Sequence, residues 1–187
     1  MNSTSLLREG VAPSTIRLPP GDWPGLLAFL QQRFPAVGVE VWRERLRLGK
    51  VIDAQGRPLD AQAPYRPGAV VHYYRELEDE PIIPFEAAIL HRDEHLLVVD
   101  KPHFLPVVPS GRFLQQTLLV RLKRELGVED LAPLHRIDRG TAGLVMFSLR
   151  ADSRGAYQAL FARREIRKCY QALAPALPQC DFPLLRR

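Results

Sequence analysis

The 187-residue chain has few cysteines and no long apolar run, and each shortage excludes a class of protein. Its two cysteines, Cys169 and Cys180, are in no spacing typical of a metal site or a redox pair, so we expect plain thiols in a reducing compartment. No apolar run approaches the ~18 residues that a membrane-spanning helix needs. The N-terminus has no basic start followed by an apolar core, which argues against a secretory signal. We therefore expect a soluble, cytoplasmic protein with no membrane partner.

Lysine is also scarce, and the cationic charge is unevenly distributed along the chain. Only 4 of the 26 Lys+Arg residues are lysines. Residues 1–111 contain 12 Lys+Arg and 14 Asp+Glu, a net charge of −2, whereas residues 112–187 contain 14 and 7, a net charge of +7. An arginine-rich, basic C-terminal part is typical of proteins that bind nucleic acid. A merely basic surface would give the same counts, so charge alone leaves both interpretations open.

Periodic patterns divide the chain into a small first part and a larger second part. Residues 1–20 carry no periodic pattern and predict a loose arm, whereas residues 21–76 predict a small αβ module with little core of its own. The predicted elements of this module are helices at 23–34 and 39–48 and strands at 50–53 and 69–74. The acidic, proline-bearing residues 77–84 predict a linker.

Residues 85–187 predict the larger part, in which strands and helices interleave. Its predicted elements are strands at 88–90, 96–100, 143–148 and 166–174, and helices at 115–127 and 151–163. Such interleaving predicts an α+β or α/β class.

The densest functional signal lies in residues 134–147, where charged side chains and glycines come directly before an apolar strand. Asp138 is flanked there by Arg136 and Arg139, whose positive charge favours the ionised form of the carboxyl group. An ionised aspartate at a sheet edge, beside glycines that permit close backbone approach, can act as a nucleophile or a base. A structural Asp–Arg pair that braces a turn would give the same pattern, so the residues alone leave both interpretations open.

Residues 135–144, HRIDRGTAGL, resemble the His-Arg-Leu-Asp-x-x-Thr-Ser-Gly-Leu signature of the RluA-type RNA pseudouridine synthases. Residues 95–102, HLLVVDKP, resemble the family's leading strand with its Lys-Pro pair, and residues 167–172, RKCYQA, resemble its Lys-x-Tyr-x-Ala strand. The chain has Ile137, Ala142 and Asp100 where the family usually has Leu, Ser and Asn. The resemblance spans about residues 85–178. It implies an α+β catalytic domain with a mixed, largely antiparallel sheet flanked by helices.

This resemblance implies an isomerase that needs neither a metal nor a cofactor, with Asp138 as the catalytic residue. Tyr170 is expected to stack on a uracil that has been flipped out of the RNA, and Arg136 to pair with Asp138 until the base leaves a gap. The substrate-binding residues are then Arg136, Arg139, Lys168 and Tyr170, and the supporting residues are His135, Thr141 and Gly143. Lys168 either contacts a phosphate or only flanks its strand.

The first module resembles the small RNA-binding domain of a ribosomal small-subunit protein, which some members of the synthase family carry ahead of the catalytic domain. The resemblance rests on residues 42–51, WRERLRLGKV, and predicts RNA contacts by Arg43, Arg45, Arg47 and Lys50. An unrelated helical cap with a solvated arginine face is the alternative. The expected partner is ribosomal RNA, transfer RNA or both.

Family members continue to a Gly-Arg-x-His-Gln-x-Arg-x-His block, and residues 175–187 contain nothing like it. We therefore expect an incomplete catalytic domain with weak or no activity, which is either marginally stable or associates through exposed sheet edges.

Two functions of other classes compete with the synthase assignment. A non-catalytic RNA-binding protein would use the first module and the basic face alone. A nucleotide hydrolase that uses Asp138 is disfavoured, because the sequence has no phosphate-cradling glycine loop and no metal cluster. His91 and His95 are four residues apart, but the turn predicted between them argues against a metal pair.

Overall fold

The computed structural model describes residues 6–77 and 79–174, in which two antiparallel sheets are accompanied by four helices. The first sheet contains β1 (Ser14–Arg17), β2 (Val51–Asp53) and β3 (Val70–Tyr73) in the order β1-β3-β2. The second contains β4 (Ala88–Arg92), β5 (Leu96–Lys101), β6 (Ala132–Pro133) and β7 (Gly143–Ser148) in the order β4-β5-β7-β6. The helices are α1 (Leu26–Arg33), α2 (Val39–Arg47), α3 (Leu118–Leu126) and α4 (Ala151–Ala162). The predicted α+β class is confirmed.

The first module has its own core around Trp42, which is completely buried. Trp42 and Leu46 lie four residues apart on α2 and therefore share one face of the helix. The ring of Trp42 packs against Phe34 and Tyr73, with centroids 5.6 and 5.3 Å away. Aromatic packing of this kind explains how a three-stranded sheet and two short helices can form a stable unit.

Strand β1 lies in the segment for which the sequence predicted a loose arm, so that prediction is wrong for residues 14–17. Ser14 pairs with Tyr73 and Arg17 with Val70 along the edge of β3. Leu18, directly after the strand, is 3% exposed in the first core. The strand itself contains a single apolar residue, and its pairing partner is more than fifty residues away in the sequence.

The predicted linker is anchored to the second part of the molecule. The Glu80 carboxylate accepts hydrogen bonds from the backbone N–H groups of Leu114, Gln115 and Gln116, at 2.7, 2.8 and 2.6 Å. Ile83 is buried in the second core. The segment that joins the two sheets is therefore held against the N-terminal end of α3.

The second core forms between α3 and one face of the larger sheet. Leu97 and Val99 of β5 and Val145 and Phe147 of β7 are completely buried, as alternation along a strand requires. Helix α3 begins at the Thr117 cap, whose hydroxyl accepts the Val120 N–H, and it buries Leu118 and Leu122 against these strands. None of the helices in the described ranges has the length and apolar content needed to cross a membrane.

The strand predicted at 166–174 does not form. These residues are described but pair with no strand of the described sheet, whose edges are β4 and β6. An extended segment becomes a strand only when a neighbour supplies the ladder of backbone hydrogen bonds. The β propensity of residues 166–174 was therefore not sufficient to predict a strand.

Candidate active site

Asp138 lies in the connection between β6 and β7, next to the edge of the second sheet. Its backbone carbonyl accepts the N–H of Thr141 at 3.0 Å, which closes a tight turn. Gly143 follows at the first position of β7 with a φ of 120°, a conformation that residues with a Cβ rarely adopt. Two of the predicted supporting residues thus shape the turn that presents the carboxylate.

The Asp138 side chain lines a cleft of about 660 Å³ together with three cationic side chains, Arg136, Arg139 and Lys168. The apolar part of the wall comes from Pro106, Val107, Val108, Leu134, Ile137 and Phe161. A concave site in which several charged groups converge beside apolar side chains is suited to binding a ligand. The structure therefore brings together the predicted catalytic residue and three of the four predicted substrate-binding residues.

The Asp138 carboxylate is exposed and has no hydrogen bond or ion pair with any other described side chain. The predicted pairing with Arg136 is therefore wrong for this structure. Both side chains are in contact with water, where an ion pair gains at most about 1 kcal/mol and must order two side chains. Arg139 is also turned away, with its guanidinium carbon 5.3 Å from the ring centroid of Phe113.

His135 lies behind the cleft and connects it to the sheet. Its Nε2 accepts the backbone N–H of Met146 at 3.2 Å, and its ring stacks on Phe161 with centroids 5.0 Å apart. Burial, with a smaller contribution from the positive charge of Lys168, lowers the pKa of His135 below its ordinary value. A neutral imidazole that accepts through Nε2 is consistent with the supporting role predicted for this residue.

Tyr170 lies outside the cleft that contains Asp138. It is 64% exposed and lines an adjacent pocket of about 210 Å³, beside Gly143 and Leu144. The two cavities share one wall, formed by His135, Ile137, Phe161 and Lys168. Lys168 reaches the cleft from the same extended segment, with its Nζ 5.2 Å from the ring centroid of Phe161.

Comparison with known proteins assigns this part of the molecule. Residues 95–183 match the model of the family described as RNA pseudouridylate synthase. Residues 95–183 therefore belong to the RNA pseudouridine synthase family. The matched residues include the turn of Asp138 and the segment that contains Lys168 and Tyr170, so the family predicted from the sequence is confirmed.

Individual family members match over most of this chain but only part of their own length. An uncharacterized RNA pseudouridine synthase of Synechocystis sp. is 35% identical over 158 residues, which cover 84% of this chain and 53% of the relative. RNA pseudouridine synthase 5 of Arabidopsis thaliana is 26% identical and covers 78% and 47%. The tRNA pseudouridine(31) synthase of Saccharomyces cerevisiae is 38% identical over 97 residues, 52% of this chain and 24% of the relative. The chain therefore spans about half the length of the first two relatives.

Two synthase-domain residues that sequence reasoning missed hold the backbone of the Asp138 turn. Lys101, at the end of β5, is completely buried and donates from Nζ to the carbonyl oxygens of Pro102 at 2.9 Å and Arg139 at 3.3 Å. His103 Nδ1 lies 2.7 Å from the carbonyl oxygen of Gly140. Burial lowers the pKa of Lys101 to about 8. The sequence signal was the Lys-Pro pair of residues 95–102, to which no role in the site was assigned, and His103 directly after it gave none.

The four residues predicted to bind RNA in the first module do not form one surface. Arg45 is 8% exposed, with its guanidinium carbon 5.0 Å from the ring centroid of Trp42, so its predicted RNA contact is wrong. It is buried because it follows Trp42 by three residues on α2 and shares that residue's inward face. The other three are ion-paired: Arg43 with Glu40, Arg47 with Glu44 and Lys50 with Glu76.

His91 and His95, for which the sequence argued against a metal pair, contact different partners. His91 lies 3.1 Å from Asp93, and His95 Nδ1 lies 3.2 Å from the hydroxyl of Ser153. Across residues 6–77 and 79–174, no three His, Cys, Asp or Glu side chains are placed to hold a metal ion.

Proposed function

We propose that this protein converts uridine to pseudouridine in structured ribosomal or transfer RNA in the cytoplasm, with Asp138 as its catalytic residue. The observation that carries the proposal is an exposed, unpaired carboxylate in a cleft that also contains three cations. The yeast relative is by name a tRNA pseudouridine synthase, which supports transfer RNA as a class of target.

The proposed reaction exchanges one bond to the ribose for another. The bond between uracil N1 and ribose carbon 1′ breaks, the base rotates, and carbon 5 bonds to carbon 1′. Carbon 5 then loses its proton and N1 ends protonated, so the product is an isomer and no external group is consumed. A single carboxylate is sufficient, either as a nucleophile at carbon 1′ or as the base that drives a glycal route.

The uridine must leave its stack before it reaches Asp138, which costs a few kcal/mol. Arg136, Arg139 and Lys168 would offset that cost by binding phosphates on either side of the extruded nucleotide. Stacking of uracil on Tyr170, which lines the adjacent pocket, would contribute ~1–3 kcal/mol. The first module would add affinity for the same RNA through the exposed residues Arg43 and Arg47 and the adjacent Lys50.

Replacing Asp138 with asparagine tests the catalytic assignment. The substrate is transfer or ribosomal RNA transcribed with tritium at carbon 5 of uridine, because loss of the carbon 5 proton releases the label. We expect Asp138→Asn to reduce release at least about 100-fold. RNA affinity should be retained, because the neutral side chain removes no cation. Asp130→Asn removes an exposed carboxylate outside the cleft and serves as the matched control.

Each contrary result has a distinct meaning. RNA binding without tritium release by the wild type, on RNA that contains every target uridine, would contradict the proposed reaction for this chain and would fit both the RNA-binding alternative and the incomplete catalytic domain expected from the sequence. Undiminished tritium release by Asp138→Asn would mean that another residue is the catalytic one.

A further inference from the structure

We propose that Arg112 and Arg139 form a subsite for a backbone phosphate of the RNA, next to the reacting uridine. Arg112 has no assigned role and lies outside the three motifs that resemble the family. The inference rests on the proposed function, because it takes the occupant of the adjacent cleft to be RNA.

Both guanidinium groups lie against one aromatic ring. The guanidinium carbon of Arg112 is 5.4 Å from the ring centroid of Phe113, and that of Arg139 is 5.3 Å from it. Phe113 itself is 7% exposed and packs in the second core, so the ring is a fixed platform. Stacking on a fixed ring orients planar cations and leaves their N–H groups free to bind an anion.

Neither cation is neutralised by a carboxylate among the described residues, a property that they share with several other exposed arginines, including Arg92. Within residues 6–77 and 79–174, no carboxylate lies within 4.0 Å of Arg112 or Arg139. In contrast, Arg150 contacts both Glu94 and Asp152, at 2.7 and 2.5 Å. Both guanidinium carbons lie within 5.4 Å of one ring centroid, so they are at most about 11 Å apart. This separation is close to the ~10 Å Debye length at 0.1 M salt, so the two positive charges repel each other. An anion bound by both groups would reduce that repulsion.

The loop that carries Arg112 is fixed at three points. Ser110 and Phe113 exchange two backbone hydrogen bonds, at 2.9 and 3.0 Å. Gly111 between them has a φ of 54°, which allows the tight reversal. Arg75 donates to the carbonyl oxygen of Gly111 at 2.6 Å. The backbone that carries Arg112 is therefore fixed before a ligand binds, which reduces the entropic cost of binding.

The position of the subsite favours RNA as the ligand. Ser110 and Arg139 line the cleft together with Asp138, so the Arg112 loop continues the wall of the candidate active site. A polynucleotide that placed a uridine in the cleft would extend its backbone past this wall. Guanidinium groups match the paired oxygens of a phosphodiester, and such contacts position a nucleic acid without reading its sequence.

The test measures the affinity of the full chain for a short fluorescein-labelled oligouridylate between about 50 and 200 mM salt. We expect Arg112→Ala to weaken binding about tenfold at the lowest salt. It should also reduce the slope of log affinity against log salt by about 0.7, the value for one phosphate of a single strand. Arg92→Ala, on the edge strand β4 at the opposite side of the sheet from β6, removes the same charge and should leave the slope unchanged.

Three outcomes would overturn the subsite. The slope could be unchanged in Arg112→Ala, it could change equally in Arg92→Ala, or a polyglutamate peptide could compete as well as the oligouridylate and depend equally on Arg112. Thermal unfolding of each variant verifies that the fold is intact. Because binding is measured directly, a wild type that binds but releases no tritium would contradict the proposed reaction and leave the subsite standing.

Discussion

The ammonium group of Lys101 donates a hydrogen bond to the backbone carbonyl of Arg139, 38 residues away in the sequence and directly after Asp138. This contact connects a completely buried strand end to the turn that presents the candidate catalytic carboxylate. Its two acceptors are neutral carbonyl groups, so the buried charge has no carboxylate partner among the described residues.

Lys101 should make the stability of the protein depend on pH in the alkaline range. Its pKa is about 8 in the folded state, against 10.5 for the ordinary side chain. Above pH 8 the folded protein has released a proton that the unfolded chain still holds, so unfolding becomes less favourable. The free energy of unfolding should rise, relative to Lys101→Met, by up to about 3 kcal/mol between pH 8 and 10.5. Urea unfolding of both proteins measures this difference, and a constant difference would contradict it.

His135 should have a comparable effect in the acidic range. Because burial lowers its pKa, the folded protein resists a proton that the unfolded chain takes up near pH 6.5. The wild type should therefore lose stability relative to His135→Gln as the pH falls through 6.5, since glutamine keeps an acceptor for the Met146 N–H but does not titrate. Urea midpoints measured from neutral pH downward test this. If the urea midpoints of the two proteins changed equally with pH, burial would not be disfavouring protonation of the imidazole.

Glu80→Gln should destabilise the second part of the molecule by about 1–3 kcal/mol. The substitution removes a negative charge and places an N–H₂ group against backbone donors that now bind the carboxylate. Glu125→Gln on the exposed side of α3 is the matched control and should change stability by less than about 0.5 kcal/mol. Chemical denaturation measures the free energy of unfolding of both variants. Equal losses would mean that the hydrogen bonds of Glu80 do not stabilise the second part of the molecule.

Arg45→Met should leave the protein at least as stable as the wild type. The guanidinium is buried, burial lowers its pKa, and its Nε has no hydrogen-bond partner among the described groups. Replacing such a charge with an apolar chain of similar length is often neutral or stabilising. RNA affinity should also be unchanged, whereas Arg47→Ala should reduce the salt dependence of binding. Weaker RNA binding by a stably folded Arg45→Met would mean that Arg45 contacts RNA, as the sequence predicted.

Local patterns in the sequence predicted most of the elements but not those that depend on distant partners. The apolar periodicity of residues 39–48 was sufficient to predict α2, because helix periodicity is local, but not to place Arg45 on its inward face. Strand β1 was missed because only its pairing with β3 makes it a strand. The opposite error at residues 166–174 has the same cause, since an apparent strand found no partner among the described residues.

In the candidate site too, local patterns were predictable and contacts between distant residues were not. Asp138, Arg136 and Arg139 could be found because they are adjacent in one motif. The contacts of Lys101 and His103 with that motif join loops almost forty residues apart, and no periodic signal indicates them. The predicted ion pair between Arg136 and Asp138 was wrong because sequence proximity does not fix the side-chain conformations of two exposed residues.

On the proposed function, the hydrogen bond from Arg75 to Gly111 has a consequence for the RNA that could bind. Arg75 follows the last strand of the first module, and Gly111 belongs to the loop beside the cleft. With the Glu80 anchor, this bond fixes the span between α2 and Asp138. An RNA that contacts α2 and Asp138 at the same time must have a fold of matching dimensions. The protein would then select its substrate by the distance between these two contact sites.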